Sequence, residues 1–150
     1  MDALVLRDAQ IQDSLLVLEL RNASDVREFA TSTEEIPVSI HQTWFEKRIS
    51  NQIRNPFWII EFKKVDVGYI RFDEVSRNTF EVSIAISNSY RGNGLGKTAL
   101  MQGLEKLEEL SVVSKVIARV HVDNVISKIT FKKCGFSESG QDGNFLFFKL

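Results

Sequence analysis

The stretch Ser87-Asn88-Ser89-Tyr90-Arg91-Gly92-Asn93-Gly94-Leu95-Gly96-Lys97-Thr98 constrains this chain more than any other. It joins an alternating segment, Thr79 to Ser87, to an amphipathic one that runs from Gly94 to about Leu110. The first has the period of a strand, with Phe80, Val82, Ile84 and Ile86 on one face and Glu81, Ser83, Ala85 and Ser87 on the other. The second has the period of a helix, with Leu95, Leu100, Leu104 and Leu107 on one stripe. A strand that feeds a glycine-rich turn and then a long helix gathers unpaired backbone N–H groups at the positive end of a helix dipole. Glycine lets a ligand approach that backbone because no Cβ stands in the way. The geometry predicts an anion site, most naturally for a pyrophosphate, held by the backbone of Gly92, Asn93, Gly94, Leu95 and Gly96, with side-chain charge from Arg91 and Lys97.

Two common phosphate motifs fail on spacing. Gly96-Lys97-Thr98 matches the end of a phosphate loop, but Arg91 stands where that loop needs its first glycine. Gly92-x-Gly94-x-Gly96 lacks the Gly-x-Gly-x-x-Gly spacing of a dinucleotide fingerprint, and the strands before it read as hairpins.

The remaining elements frame this turn. Leu4-Val5-Leu6 reads as a short strand and Ile11 to Arg21 as a helix whose apolar face is Ile11, Leu15, Leu16, Leu18 and Leu20. A short helical turn follows from about Asp25 to Phe29. A helix capped near Ser39 runs to about Asn51, with Trp44, Phe45 and Ile49 apolar. Phe57 to Phe62 and Val67 to Asp73 read as strands joined by a turn over Lys63-Lys64-Val65-Asp66. Lys115 to Val122 is a β-branched strand, and Asp123 or Asn124 caps a helix ending before Gly135. Phe136 and Phe145 to Lys149 close the chain around Gln141-Asp142-Gly143-Asn144. The order is β-α-α-β-β-β-α-β-α-β-β, a mixed sheet with helices on both faces.

With 150 residues, one domain is expected. The 19 basic and 20 acidic residues leave a net charge of −1, which excludes a protein held to nucleic acid by bulk charge. Two histidines and the lone Cys134 supply no metal-ligand spacing, so no metal is expected. Met1-Asp2-Ala3-Leu4-Val5-Leu6-Arg7 has no basic leader region, no stretch reaches the length of a membrane span, and a lone thiol suits a reducing compartment. A cytoplasmic protein is the default expectation. The sequence is open on oligomeric state, a homodimer included.

Arg91-x-x-Gly94-x-Gly96 resembles the Arg/Gln-x-x-Gly-x-Gly/Ala signature of the GNAT family of acetyl-CoA-dependent N-acetyltransferases. Downstream, Arg119-Val120-His121-Val122-Asp123-Asn124-Val125-Ile126-Ser127, followed by Phe131-Lys132-Lys133-Cys134-Gly135-Phe136, is similar to that family's pattern of an apolar strand, Asn-x-x-Ser, an aromatic and Gly-Phe. Both matches lie in the family's order. The resemblance implies a mixed, mostly antiparallel seven-stranded sheet whose fourth and fifth strands splay apart. It also implies acetyl-CoA as co-substrate, its pantetheine lying between those strands against the backbone of Ile84, Ala85 and Ile86, with Asn124, Ser127 and Phe131 beside it. Asn124 also reads simply as a helix cap. Many relatives carry a tyrosine at the Phe131 position to protonate the departing thiolate, which phenylalanine cannot do.

Arg21-Asn22 after the first helix, Arg27, and His41-x-x-Trp44-Phe45 resemble the UDP-amino-sugar N-acetyltransferases of pseudaminic acid biosynthesis. That resemblance implies the 4-amino group of a UDP-linked dideoxy sugar as acceptor, with Arg21, His41 and Arg71 as substrate residues. A protein N-terminus or a polyamine is the alternative acceptor, and a coenzyme-binding domain without turnover is the alternative of another class. Glu81 is the candidate base, acting directly or through water, with Ser83 and Tyr69 beside it. Ser76-Arg77-Asn78 reads as a turn; if the hairpin turns at Val75 to Arg77, Arg71 lies opposite Glu81 and Tyr69 opposite Ser83, on a face that Asp73 shares. The same residues also suit a solvated sheet face. His121 ends a strand near the splay and reads either as a proton carrier or as a partly buried, hydrogen-bonded histidine.

Overall fold

The computed structural model describes residues 3–150. Met1 and Asp2, which open the segment read above for a leader, lie outside the described residues. The strands are β1 (Leu4–Asp8), β2 (Phe57–Phe62), β3 (Val65–Ser76), β4 (Thr79–Ile86), β5 (Lys115–His121), β6 (Ser137–Asp142) and β7 (Phe145–Lys149). The helices are α1 (Ser14–Asn22), α2 (Ser24–Arg27), α3 (Val38–Ile49), α4 (Leu95–Leu110) and α5 (Val125–Lys133). The strands form one seven-stranded sheet in the order β1-β2-β3-β4-β5-β7-β6. Every neighbouring pair is antiparallel except β4 and β5, which are parallel. The expected mixed, mostly antiparallel sheet with helices on both faces is the fold observed.

Alternation along the strands divides the core into two layers. On one face, Trp58, Ile60, Ile70, Phe72, Phe80 and Val82 pack with Leu95, Leu100 and Leu107 of α4 and Phe131 of α5. On the other, Phe57, Ile59, Tyr69 and Ala85 pack with Val17 and Leu20 of α1 and Phe45 of α3. The α4 stripe is the one the leucine spacing predicts. Gly103 on it is a close approach, because a Cβ there would lie 2.9 Å from Ile70 Cδ1.

Several details depart from the sequence reading. The first helix opens as a 3₁₀ turn, Ile11–Asp13, in which the Gln10 N–H donates to Asp13 Oδ2 at 2.7 Å. Ile11 and Leu15 are exposed, Leu18 and Leu20 are buried as the spacing predicts, and Val17 joins them in the core. α3 is preceded by Pro37, with no side-chain cap from Ser39. The first hairpin is tighter than expected, because Lys63 and Lys64 alone form its turn, both at positive φ. The second hairpin turns at Arg77-Asn78, with Asn78 at φ 57, and bulges between Glu74 and Ser76. The displaced turn and its bulge move the pairing by two residues. Arg71 lies opposite Ser83, Tyr69 opposite Ala85, and Asp73 opposite Glu81. The shift is even, so each residue keeps its predicted face and only its partner changes.

Candidate active site

β4 and β5 are in register only at Thr79–Lys115, Phe80–Val116 and Glu81–Ile117, although both strands run on to Ile86 and His121. Beyond Glu81 they part. Ser87 N–H donates to the Val67 carbonyl of β3 at 2.7 Å. Antiparallel alternation therefore turns Ala85 and Ser83 toward β3 and aims the carbonyl of Val82 and the N–H and C=O groups of Ile84 and Ile86 at the gap. The Ile86 carbonyl bears this out: it faces away from β3 and accepts from Arg91 Nε at 3.0 Å. A strand edge left open inside a sheet is a row of donors and acceptors awaiting an extended amide-bearing partner.

The gap widens into a cleft of about 660 Å³ that reaches from Glu81 to the glycine turn and the start of α4. Gly92 (φ 81) and Gly94 (φ 74) adopt left-handed backbone, and a Cβ at either would face open space. Gly94 directly precedes α4, whose first turn carries no acidic residue and no side-chain cap. The first N–H groups of α4 have no intrahelical partner, and this is where the sequence reading places an anion. The wall opposite β4 is α5. Its cap is Asn124, whose Oδ1 accepts from Ser127 N–H at 3.2 Å. Phe131 is 4% exposed and lies against Phe136 (5.1 Å between centroids) and Phe148 (6.2 Å). It gives that wall an apolar surface and no proton.

Cleft residues thus include Glu81, Ser83, Ile84, Ala85, Ile86, Arg91, Gly92, Gly94, Leu95, Gly96, Lys97, Asn124, Ser127 and Phe131. Asn93 sits between two of them in the turn. Arg91, however, does not reach toward the turn's N–H groups. Its guanidinium is taken up by the Asp25 carboxylate and the Ile86 carbonyl, so it ties α2 to the end of β4. Glu81 pairs with Arg119 at 3.4 Å.

The remaining predicted residues gather elsewhere, under α1 and α3. Tyr69 is 5% exposed, with its ring 5.4 Å from Phe57, and does not line the cleft. His41 is fully enclosed. Its Nε2 lies 2.8 Å from the Ser14 carbonyl, so that nitrogen carries the proton, and Nδ1 accepts from Arg21 at 3.1 Å. Burial pushes the His41 pKa below its ordinary value, and the Arg21 charge adds to the effect. Arg21 lies 4.1 Å above the Trp44 ring, and Arg71 lies 5.3 Å from the same ring. Arg71 and Arg48 share the Asp73 carboxylate. The Arg71 Nε is buried with no hydrogen-bond partner.

Two contributions, the α2 segment and Lys133, escape a linear reading, whereas His121 lies near the splay and is hydrogen-bonded, as the sequence reading allows. The α2 segment brings Asp25, Glu28 and Phe29 over the cleft. Nothing periodic marks them; the Asp25–Arg91 pair and the Phe29–His121 ring contact hold them there. His121 stands between Phe29 and Phe145, each 5.4 Å away, and its Nδ1 accepts from Asp123 N–H at 3.1 Å. Lys133, in the last turn of α5, also lines the cleft. Among the described residues no group of three or more histidine, cysteine, aspartate or glutamate residues could hold a metal ion. No helix among them is long and apolar enough to cross a membrane.

Known proteins share this architecture. A putative phosphinothricin N-acetyltransferase is 25% identical and superposes with a TM-score of 0.83, covering 98% of this chain and 97% of its own. The ribosomal-protein-alanine N-acetyltransferase of Brucella melitensis is 24% identical with a TM-score of 0.80, covering 97% of this chain and 98% of its own. A putative acetyltransferase of Salmonella typhimurium, solved with its cofactor acetyl-CoA, is 19% identical with a TM-score of 0.81, over 99% of this chain and 93% of its own. No curated protein matches the sequence. The model of the acetyltransferase (GNAT) domain matches residues 3–137, which include both strands of the gap, the glycine turn and the whole of α5. With the splayed strands and the open glycine turn in the places that match covers, the chain is a member of the GNAT acetyltransferase family.

Proposed function

We propose that this protein transfers acetyl from acetyl-CoA directly to a primary amine, and that its preferred acceptor is the 4-amino group of a UDP-linked dideoxy sugar. The observation that carries the reading is the continuity of the β4–β5 gap with the glycine turn, an open amide edge that leads to an anion cradle. The residues fit the coenzyme. Val82, Ile84 and Ile86 offer backbone groups to its pantetheine amides, Asn124 and Ser127 border the arm, Phe131 packs against it, and the N–H groups from Asn93 to Lys97 take the pyrophosphate. When bound, it supplies an acetyl thioester that a neutral amine can attack.

The chain's own part is to place and to polarise. A β4 N–H near Ile86 is the donor for the thioester carbonyl oxygen. Glu81 takes the proton released by the amine, directly or through a water, and Arg119 lies 3.4 Å from its carboxylate. As nitrogen bonds to the carbonyl carbon the carbon–sulfur bond breaks, and with phenylalanine at position 131 the thiolate takes its proton from water.

On the acceptor side, Arg71 stands opposite Ser83 in the β3–β4 ladder and Arg21 shares the Trp44 ring with it. The guanidinium groups of Arg21, Arg48, Arg71 and Arg119 outnumber the carboxylates of Asp73 and Glu81 on this face. An acceptor with negative charge suits that balance better than a polyamine does. His41 would act on the acceptor only through Arg21, which it holds. The likeness to a ribosomal-protein-alanine N-acetyltransferase favours a protein N-terminus as the second reading. The lone thiol of Cys134 agrees with action in the cytoplasm.

The test is thiol release from acetyl-CoA with a UDP-4-amino-4,6-dideoxy sugar, an alanine-starting peptide and spermidine. Saturable release with the sugar, absent with its 4-acetamido product, supports the preferred acceptor. Release with the peptide alone replaces it with the second reading.

A further inference from the structure

Gly68 stands inside β3, where a glycine costs stability because it packs no side chain and loses more freedom on folding than other residues. It is buried, in register with Ile60 of β2 on one side and Ile86 of β4 on the other. Its backbone is not left-handed, so conformation does not call for glycine here. Close approach does. A Cβ at this position would lie 2.2 Å from the Ala85 carbonyl oxygen and 3.1 Å from Ile86 Cδ1. The first contact is sterically forbidden and is made with backbone, so no change of rotamer relieves it. Gly92 and Gly94 are the opposite case, since a Cβ on either meets open space.

The sheet decides which strand would yield to a side chain at position 68. β3 is backed by β2, and β2 by β1. β4 is backed by β5 only as far as Glu81. At Ala85 and Ile86 its far side is the open gap. A side chain on residue 68 would therefore drive these two residues away from β3 and strain the bond from Ser87 N–H to the Val67 carbonyl. Ile86, which lines the cleft, would move into the space between β4 and β5 and carry its N–H with it.

We propose that Gly68 is a positioning residue for acetyl transfer. By letting β4 seat fully on β3 it keeps the gap wide enough for the pantetheine arm, and it sets the Ile86 N–H where the thioester carbonyl needs a donor. Gly68 does this from outside the cleft lining and without touching a ligand. The inference rests on the coenzyme reading given above.

The experiment is calorimetric titration of Gly68→Ala and of the unaltered chain with two ligands. One is coenzyme A. The other is 3′-phosphoadenosine 5′-diphosphate, which has the same nucleotide and pyrophosphate but no pantetheine. Partial unfolding lowers both apparent affinities by the same factor, so their ratio reports the gap alone. In Gly68→Ala the affinity for coenzyme A is expected to fall about tenfold or more relative to that for the nucleotide. Gly140→Ala, a strand glycine whose Cβ would lie an ordinary 3.8 Å from Phe147 Cδ2, leaves the ratio unchanged. Should Gly68→Ala not fold, Gly68→Ala with Ile86→Val keeps the clash with the Ala85 carbonyl, removes the one with Cδ1, and is read the same way. An unchanged ratio, an equal shift in Gly140→Ala, or loss of the whole fold in both Gly68 variants overturns the proposal and leaves the coenzyme reading standing. Failure of the unaltered chain to bind either ligand overturns the coenzyme reading and the proposal with it.

Discussion

The two edges of β4 are treated in opposite ways. Toward β3 the strand is paired from Gly68–Ile86 to Ser76–Thr79, interrupted only by the bulge at the hairpin. Toward β5 it is paired at Thr79, Phe80 and Glu81 and then released. The closed edge belongs to a region covered on both faces, by α4 on one and by α1 and α3 on the other. The open edge leads to a cleft, a cradle without side chains and a helix end. One strand thus joins a region whose backbone groups satisfy one another to a region whose backbone groups wait for a ligand. The closed region can hold the open one in shape because its burial is complete: Phe57, Ile59, Ile60, Ile70, Phe72 and Phe80 are all 0% exposed.

That division can be broken from either side. The largest expected effect is on the closed side. Phe72 is fully buried and its ring meets Trp58 at 6.0 Å. Phe72→Ala removes that volume and should cost about 3–5 kcal/mol of stability, read from a denaturant titration. Coenzyme binding should then fail only as the protein unfolds. Gly94→Glu tests the open side alone. It forces a side chain onto a left-handed position and puts negative charge in the anion cradle. We expect coenzyme affinity to fall by at least about a hundredfold, equivalent to about 2.7 kcal/mol. The far-ultraviolet dichroism should not change.

A pH titration sharpens the role of the polar cluster under α3. His41 is buried and neutral, and its folded pKa is depressed below 6.5. Below about pH 6.5 the unfolded chain therefore binds a proton that the folded chain refuses. The stability this residue contributes is fully present above that pH and is lost as pH falls toward the folded pKa. Thermal melts from pH 7.5 to 5 should show the decline, and His41→Gln should flatten this part of it. Removing the Asn124 cap has the smallest effect. Asn124→Ala should cost about 1 kcal/mol, through loss of the bond to Ser127 N–H, with a moderate loss of coenzyme affinity.

The open region was more legible in the sequence than the closed one. Its signals are local: glycines at 92, 94 and 96, a strand of strict alternation before them and a leucine stripe after them. Asn124 reads as a cap because capping is a contact between near neighbours. The closed region depends on register and on which way helices turn. A two-residue hairpin turn with a bulge is encoded by Asn78 at positive φ and by nothing that alternation reveals, so Arg71 meets Ser83 and not Glu81. Ile11 and Leu15 have the spacing of a buried face, yet the 3₁₀ turn before α1 directs them to solvent. Arg91 reads as a phosphate ligand from its place in the motif. Its partner Asp25 lies 66 residues away, a contact that no local pattern encodes. The same holds for the Arg21–His41 contact, made across 20 residues between two helices.

Amide hydrogen exchange along β4, resolved residue by residue with and without coenzyme A, tests the central claim most directly. If the gap takes the coenzyme as a surrogate strand, the N–H groups of Ile84 and Ile86 gain protection on binding. Those of Ser83 and Ala85, already bonded to β3, stay as they were. Protection that ignores this alternation, or that appears away from β4 and the glycine turn, would contradict the account.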